Sequence, residues 1–400
     1  MTTNTKGKSP FYPGQPVPVE LFVGRAEQIS RIMDRGVAQV AAGKPVSIYI
    51  QGEYGIGKSS IAGLVQFMAE RKGLHPIYAP LGGAETLEDV GTRILEATVQ
   101  SGGVDASRTE KVRNWLAKYI GEQSLFGVTL HAEALRRDAP SIATGLLPFL
   151  SEVQKRLAET GIRGVLLILD EINGITSNAK FSHWIKGLVD TNALARTPVP
   201  LLLMLCGVEE RRREMIAHHQ PVDRIFDVIE IEPLTTDEMK AFFTRAFESV
   251  GMRVEPDALD RLAYYSAGFP KIMHLLGDSV YWLDQDGVID LKEAMTGVIM
   301  AAEEVGKKYV DQQVYKALRS SDYHSILRKI AKLGPDQMTF TKAQVVGGLS
   351  ETEKRKFNNF LQKMKTLHVL RSGDVQGEYI FNMRMVRLYI WLQSTSVAKE

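Results

Sequence analysis

The sequence predicts an α/β fold: a doubly wound parallel sheet, then a helical lid and a C-terminal winged-helix domain. Three observations predict it. Short apolar, β-branched runs at Val46–Gln51, His75–Pro80, Val165–Leu169, Leu201–Leu205 and, more weakly, Val228–Ile231 alternate with amphipathic helical stretches. That alternation is the signature of parallel strands joined by crossover helices. A glycine-rich octapeptide links the first run to the helix after it. From Thr236 to Ala302 the periodicity is helical throughout.

Residues Met1 to Phe22 read as an extended arm, because Pro10, Pro13, Pro16 and Pro18 forbid a helix. Gly24-Arg25-Ala26-Glu27 opens a helix with Ile29, Ile32 and Met33 at helical spacing. Ser59–Arg71, Thr86–Val99 and Ile142–Leu157 continue the helical series. Between them, Val112, Trp115, Leu116 and Tyr119 have helical spacing, and Leu125–Leu130 reads as a strand or hairpin. After residue 320, helices at Tyr323–Lys332, Lys342–Val346 and Thr352–Leu367 precede two short runs, Val369–Arg371 and Tyr379–Phe381, flanking a turn. Three helices and a β-wing make a winged helix. The expected domains are an arm at 1–21, a core at 22–234, a lid at 235–315 and the winged helix at 316–400.

With 44% hydrophobic and 24% charged residues, the 400-residue chain has ordinary globular composition and room for several domains. A formal charge of +2 argues against a polyelectrolyte role for the whole. The charge is uneven, however. From Lys316 onward 15 basic residues face seven acidic ones, an excess of eight, so a basic module follows a mildly acidic body. The lone Cys206 excludes an internal disulfide, the polar N-terminus lacks a signal-peptide core, and the longest apolar runs are too short to span a bilayer. A cytoplasmic location with no membrane partner is expected.

Chemistry enters at Gly52-Glu53-Tyr54-Gly55-Ile56-Gly57-Lys58-Ser59, which fits G-x-x-x-x-G-K-[ST] between a strand and a helix. The glycines let several backbone N–H groups face one anion, and the helix N-terminus, continuing into Ser60, adds its partial positive charge. Lys58 is expected on the β- and γ-phosphates and Ser59 Oγ on Mg²⁺. The run Leu166-Leu167-Ile168-Leu169-Asp170-Glu171 brings two carboxylates to the sheet's carboxyl edge, where such sheets bind ligands. Asp170 is then a holder of Mg²⁺, and Glu171 the residue that polarises the attacking water. ATP and Mg²⁺ are the expected cofactors of this P-loop NTPase domain.

The adjacent acids and the helical lid make the chain resemble AAA+ and STAND-type ATPases, within the branch of replication initiators, transposition regulators and archaeal-type STAND ATPases. Phe22-Val23-Gly24-Arg25 is similar to that branch's N-terminal box, which packs on adenine; Gly268-Phe269-Pro270-Lys271 is similar to its lid signature, whose Pro270 approaches the nucleotide. Tyr379-Ile380-Phe381 and Val386-Arg387-Leu388-Tyr389 resemble the end of its winged helix. The resemblance implies a homo-oligomer in the ATP state, with Arg224 completing a neighbour's site; a local pair with Asp223 or Asp227 is the competing reading. Arg211-Arg212-Arg213 reads as a solvated helix face. Two departures stand out. Cys206 occupies the end of the fourth strand where the family places a polar sensor of the γ-phosphate, and Lys271 stands near where many initiators carry a lid arginine. Both imply slow hydrolysis.

On Thr352–Leu367, Phe357, Leu361 and Met364 form an apolar stripe, and Arg355, Asn359 and Gln362 face the other way with Lys363 beside them. Arg, Asn and Gln can read base edges, and lysines can contact phosphates. This helix therefore points to double-stranded DNA. The alternative is a STAND-like signalling ATPase whose winged helix docks an effector protein. A basic stretch at Arg108–Lys118 reads as an amphipathic helix, His218-His219 as surface residues rather than metal ligands, and Trp115, Trp184, Trp282 and Trp391 as core anchors.

Overall fold

The structure, a computed structural model, describes residues 6–15, 22–101, 140–158 and 160–396. The readings at Val112–Tyr119, Leu125–Leu130 and Arg108–Lys118, including Trp115, lie outside the described residues. The chain divides into two compact units, Pro16–Glu232 and Met1–Gln15 with Pro233–Glu400.

The first unit holds five parallel strands: β1 (Val46–Gln51), β2 (Leu74–Pro80), β3 (Gly164–Asp170), β4 (Leu201–Gly207) and β5 (Asp227–Glu230), in spatial order β2-β3-β4-β1-β5. Every residue of β3 and β4 is buried, as expected of central strands covered on both faces. Their side chains alternate. Tyr49, Ile77, Leu167, Leu169, Leu203 and Leu205 share one core with helices α4 (Leu87–Gln100), α5 (Pro140–Ala158) and α6 (Ala179–Leu194). Ile48 and Leu202 face the opposite way, against Gly36, in the turn between α1 (Ala26–Ile32) and α2 (Ala38–Ala41). Helix α3 (Lys58–Arg71) follows β1, and α7 (Glu209–His218) follows β4. Because β1 lies between β4 and β5 while β2 is a far edge, the chain leaves β1 at a switch in strand order.

In the second unit, α8 (Thr236–Glu248), α9 (Pro256–Ser266), α10 (Pro270–Leu283) and α11 (Leu291–Val305) form the helical section. A two-stranded parallel pairing of β6 (Arg253–Val254) and β7 (Val288–Ile289) joins two of its loops; at two residues each, they carry no periodicity to read. The N-terminal segment is tied down here. Phe11 is buried among Phe242, Phe243, Phe247 and His274, and the Tyr12 N–H donates to His274 Nδ1 at 3.1 Å. Tyr281 Oη donates to the Gly7 carbonyl at 2.9 Å.

Helix α11 runs on through a wider-wound ten-residue segment, Gly306–Tyr315, and after a non-helical link at 316–320 the chain enters α12 (Ser321–Ala331). A Cβ at Gly306 would sit 2.2 Å from the Tyr389 ring, so only glycine allows that approach. Then come β8 (Thr339–Thr341), α13 (Lys342–Val346), α14 (Glu351–Thr366), β9 (Leu370–Ser372), β10 (Glu378–Phe381) and α15 (Arg384–Ser396). The antiparallel sheet has the order β8-β10-β9. Strand β8, absent from the sequence reading, pairs with β10. Arg387, fully buried, donates to the Gln337, Ile330 and Ala331 carbonyls and to that of Gly334, closing the last turn of α12. Burial lowers its pKa to about 10, which keeps it charged.

Trp184 is buried as expected, but Trp282 is 56% exposed and anchors no core. His219 lies against His183, with ring centroids 4.3 Å apart, and no group of three potential metal ligands occurs among the described residues. Among those residues no helix is long and apolar enough to cross a membrane.

Candidate nucleotide site

The turn from β1 into α3 is built for an anion. Ile56 is fully buried and pins the loop, while Gly55 and Gly57 take positive φ, 77° and 101°, which a side chain would resist. Gly57 is also the N-cap of α3, so the first-turn N–H groups of the helix point toward this loop. Lys58 Nζ donates to the carbonyls of Gly52 at 2.7 Å and Glu53 at 2.9 Å, and lies 5.6 Å from the ring centroid of Tyr54, which is largely exposed. Burial lowers the Lys58 pKa, and Asp170, Glu53 and Glu171 work against that shift.

Asp170 ends β3 and is buried. Its Oδ1 accepts the Glu171 N–H at 2.9 Å, and its Oδ2 accepts the Tyr78 hydroxyl at 2.5 Å. The Ser59 hydroxyl lies near the same phenol. Ser59, at the start of α3, and Asp170, at the end of β3, thus flank one tyrosine from β2. Burial, and after it Asp170, raise the Tyr78 pKa, so the group stays a neutral donor.

Cys206 sits opposite Ile50 in the β1–β4 register and is fully buried. Burial first, then Asp170, push its thiol well above the ordinary value. The sulfur at the place of the expected polar sensor is therefore part of the carboxylate's environment.

Glu171 is exposed and holds a left-handed backbone, φ 56°. Non-glycine residues adopt that conformation at a cost and concentrate at functional sites. Gly82, after β2, makes room for it: a Cβ there would lie 2.5 Å from Glu171 Oε2.

The arginines after β4 separate into distinct roles. Arg211 pairs with Glu214 at 3.0 Å and lies near Tyr54 of the loop. Arg212 donates to Gln51 Oε1 at 3.0 Å and to Asp223 at 2.5 Å. Only Arg213 is exposed, paired with Glu209 at 2.7 Å, so the solvated-face reading holds for it alone. Asp227 is taken by Arg31. With both local acids engaged, Arg224 is exposed and has no hydrogen bond or ion pair among the described residues.

Phe22, Val23 and Gly24 are half-buried; Arg25 is buried, has φ 62° and caps α1. Pro270 belongs to the second unit, in the first turn of α10. On α14, Phe357, Phe360, Leu361 and Met364 are buried, whereas Arg355, Asn359, Gln362 and Lys363 are exposed. None of these four side chains is engaged in a hydrogen bond or ion pair among the described residues, unlike Lys354 with Glu351 and Lys356 with Asp322. Sequence reasoning missed Tyr78 and the Gln51–Arg212 bond.

No protein-family model matches the chain, and no curated protein matches it in sequence. Solved structures do match in fold. The ORC2 protein of Aeropyrum pernix in its ADPNP–ADP complexes is 12% identical, with 97% of this chain and 96% of that one covered and a TM-score of 0.59. Its ADP form is 14% identical over 96% and 95%, with a TM-score of 0.51. The Walker-type ATPase paby2304 of Pyrococcus abyssi is 17% identical over 93% and 97%, also at 0.51. The chain therefore has the fold of a P-loop ATPase of the AAA+ type, similar over nearly its whole length to an archaeal ORC protein.

Proposed function

We propose that the chain is an ATP-binding and ATP-hydrolysing nucleotide switch that acts on double-stranded DNA through its C-terminal module, read as a winged helix. The observation that carries the reading is buried Asp170, held by Tyr78 at the end of β3, close to the Lys58 ammonium and the Ser59 hydroxyl at the start of α3. A hydroxyl and a buried carboxylate form an all-oxygen donor pair suited to Mg²⁺, which when bound with ATP neutralises charge on the β- and γ-phosphates.

The chain's own residues divide the remaining work. N–H groups along Gly52–Ser60 cradle phosphate oxygens, and Lys58 exchanges two carbonyl partners for them. Glu171 orients and polarises the attacking water, and its exposure beside buried Asp170 supports that role. Phe22–Arg25 and Pro270 contact the nucleotide, as the family resemblance implies. Arg224 serves the site of a second copy, which makes the ATP state a homo-oligomer; its lack of a local partner supports this. Losing the γ-phosphate removes the contacts that distinguish the two states.

Arg355, Asn359, Gln362 and Lys363 form the DNA-facing row, supported by their exposure and by the excess of eight positive charges after residue 315. The test is fluorescence anisotropy on duplex DNA with ADP, with ATP and with Lys58→Ala, at two salt concentrations. ATP-dependent binding that weakens steeply with salt is expected. Absence of binding in every nucleotide state would overturn the DNA role and favour a STAND-like switch docking an effector protein.

A further inference from the structure

We infer that Tyr78 is a positioning residue for Mg²⁺, holding Asp170 in the orientation that receives the ion. The inference rests on the proposed role of Asp170 and adds to it a residue from a strand that carries no motif.

Two observations carry it. First, the phenol is placed by the sheet and not by a loop. Tyr78 is opposite Ile168 in the β2–β3 register, two positions before Pro80 meets Asp170, so its hydroxyl reaches the carboxylate along one strand pair. Second, Asp170 is held on both of its oxygens. The Glu171 N–H fills an acceptor site on Oδ1 and the Tyr78 hydroxyl one on Oδ2, which leaves about two of the roughly four acceptor sites of a carboxylate for an ion. Such a group cannot swing toward an ion; it must already be in place. Groups behind metal ligands typically change metal affinity about 10- to 100-fold when removed.

The chemistry also predicts what Tyr78 leaves alone. Nucleotide held without metal depends on the loop N–H groups and Lys58, and Tyr78 hydrogen-bonds to neither.

The experiment measures binding, not turnover. A fluorescent ATP analogue is titrated in excess EDTA, and then at fixed nucleotide with rising Mg²⁺, for the wild type, Tyr78→Phe, Asp170→Asn and the double variant. Tyr78→Phe should leave the metal-free affinity within about twofold and raise the Mg²⁺ midpoint about tenfold. In the Asp170→Asn background it should add little, because the two act through one contact. An unchanged or lowered midpoint overturns the inference. So does a parallel loss of metal-free affinity, which would make Tyr78 a support of the fold. If Ser59→Ala and Asp170→Asn also leave the midpoint untouched, the Mg²⁺ reading of those residues has failed instead. Should Tyr78→Phe not fold, 3-fluorotyrosine at position 78 keeps the shape and makes the hydroxyl a stronger donor to Asp170. A shifted Mg²⁺ midpoint with metal-free affinity unchanged is expected, and coincidence with wild type overturns the proposal.

Discussion

Arg212 donates to the side-chain oxygen of Gln51, the last residue of β1, and so ties α7 to the root of the phosphate loop. The same guanidinium holds Asp223, the neighbour of Arg224. Arg212→Ala should lower unfolding stability by about 1–3 kcal/mol, since it leaves buried Gln51 without this donor. Arg212→Lys should recover only part of that loss, because an ammonium cannot span both partners in the fork geometry of arginine. Urea melts of the three proteins check both expectations; equal midpoints for wild type and Arg212→Ala would contradict them.

Glu171→Gln keeps size and shape while removing the base. ATP affinity should stay near wild type, and hydrolysis should fall about 10²- to 10⁴-fold. Phosphate release under single-turnover conditions is the measurement. Unchanged turnover would transfer the role to another group.

Arg224→Ala should reduce hydrolysis about 10³-fold or more without weakening nucleotide binding. Mixed with Lys58→Ala, itself inactive, it should regain activity, because one interface in the mixture then pairs an intact loop with an intact arginine. Mixing experiments that never restore turnover would remove Arg224 from the catalytic assignment.

His274 supplies a pH dependence whose sign follows from burial. Its pKa is lowered to about 4 from an ordinary 6.5, with burial the cause. The folded state therefore binds fewer protons than the unfolded state between those values. Its contribution is fully present above about pH 6.5 and is lost as pH falls toward about 4, amounting to roughly 3 kcal/mol. Thermal melts from pH 7 to 4 should show this loss, and His274→Gln should flatten it. The protonated ring would also lose the Tyr12 N–H donated to Nδ1, so release of residues 6–15 should accompany it, read by limited proteolysis.

Strand β3 was legible because a fully apolar run closing on two acids leaves one register that buries the run and presents Asp170 and Glu171 at the edge. The phosphate loop was legible because its glycine spacing has a mechanical meaning. Tyr78 was not, since an aromatic in a strand is ordinary β propensity and its partner lies 92 positions away. Strand β8 escaped for want of length, three residues being too few to show alternation. Pro10 and Pro13 correctly exclude a helix at residues 6–15, yet no pattern of period 2 or 3.6 announces a single anchor such as Phe11. Trp282 shows the converse, a bulky apolar residue whose helix turns it to solvent.

Gly306 makes the helical section and the C-terminal module a single lever. With no side chain at that point, the Tyr389 ring lies directly on the backbone of the rod that begins as α11, and Tyr389 Oη reaches Asp311 at 2.9 Å one turn further on. Close-packed surfaces have no slack in which a small displacement could be absorbed. A tilt imposed on α11 therefore meets no gap where Tyr389 seats α15, the last helix of the C-terminal module, against the rod.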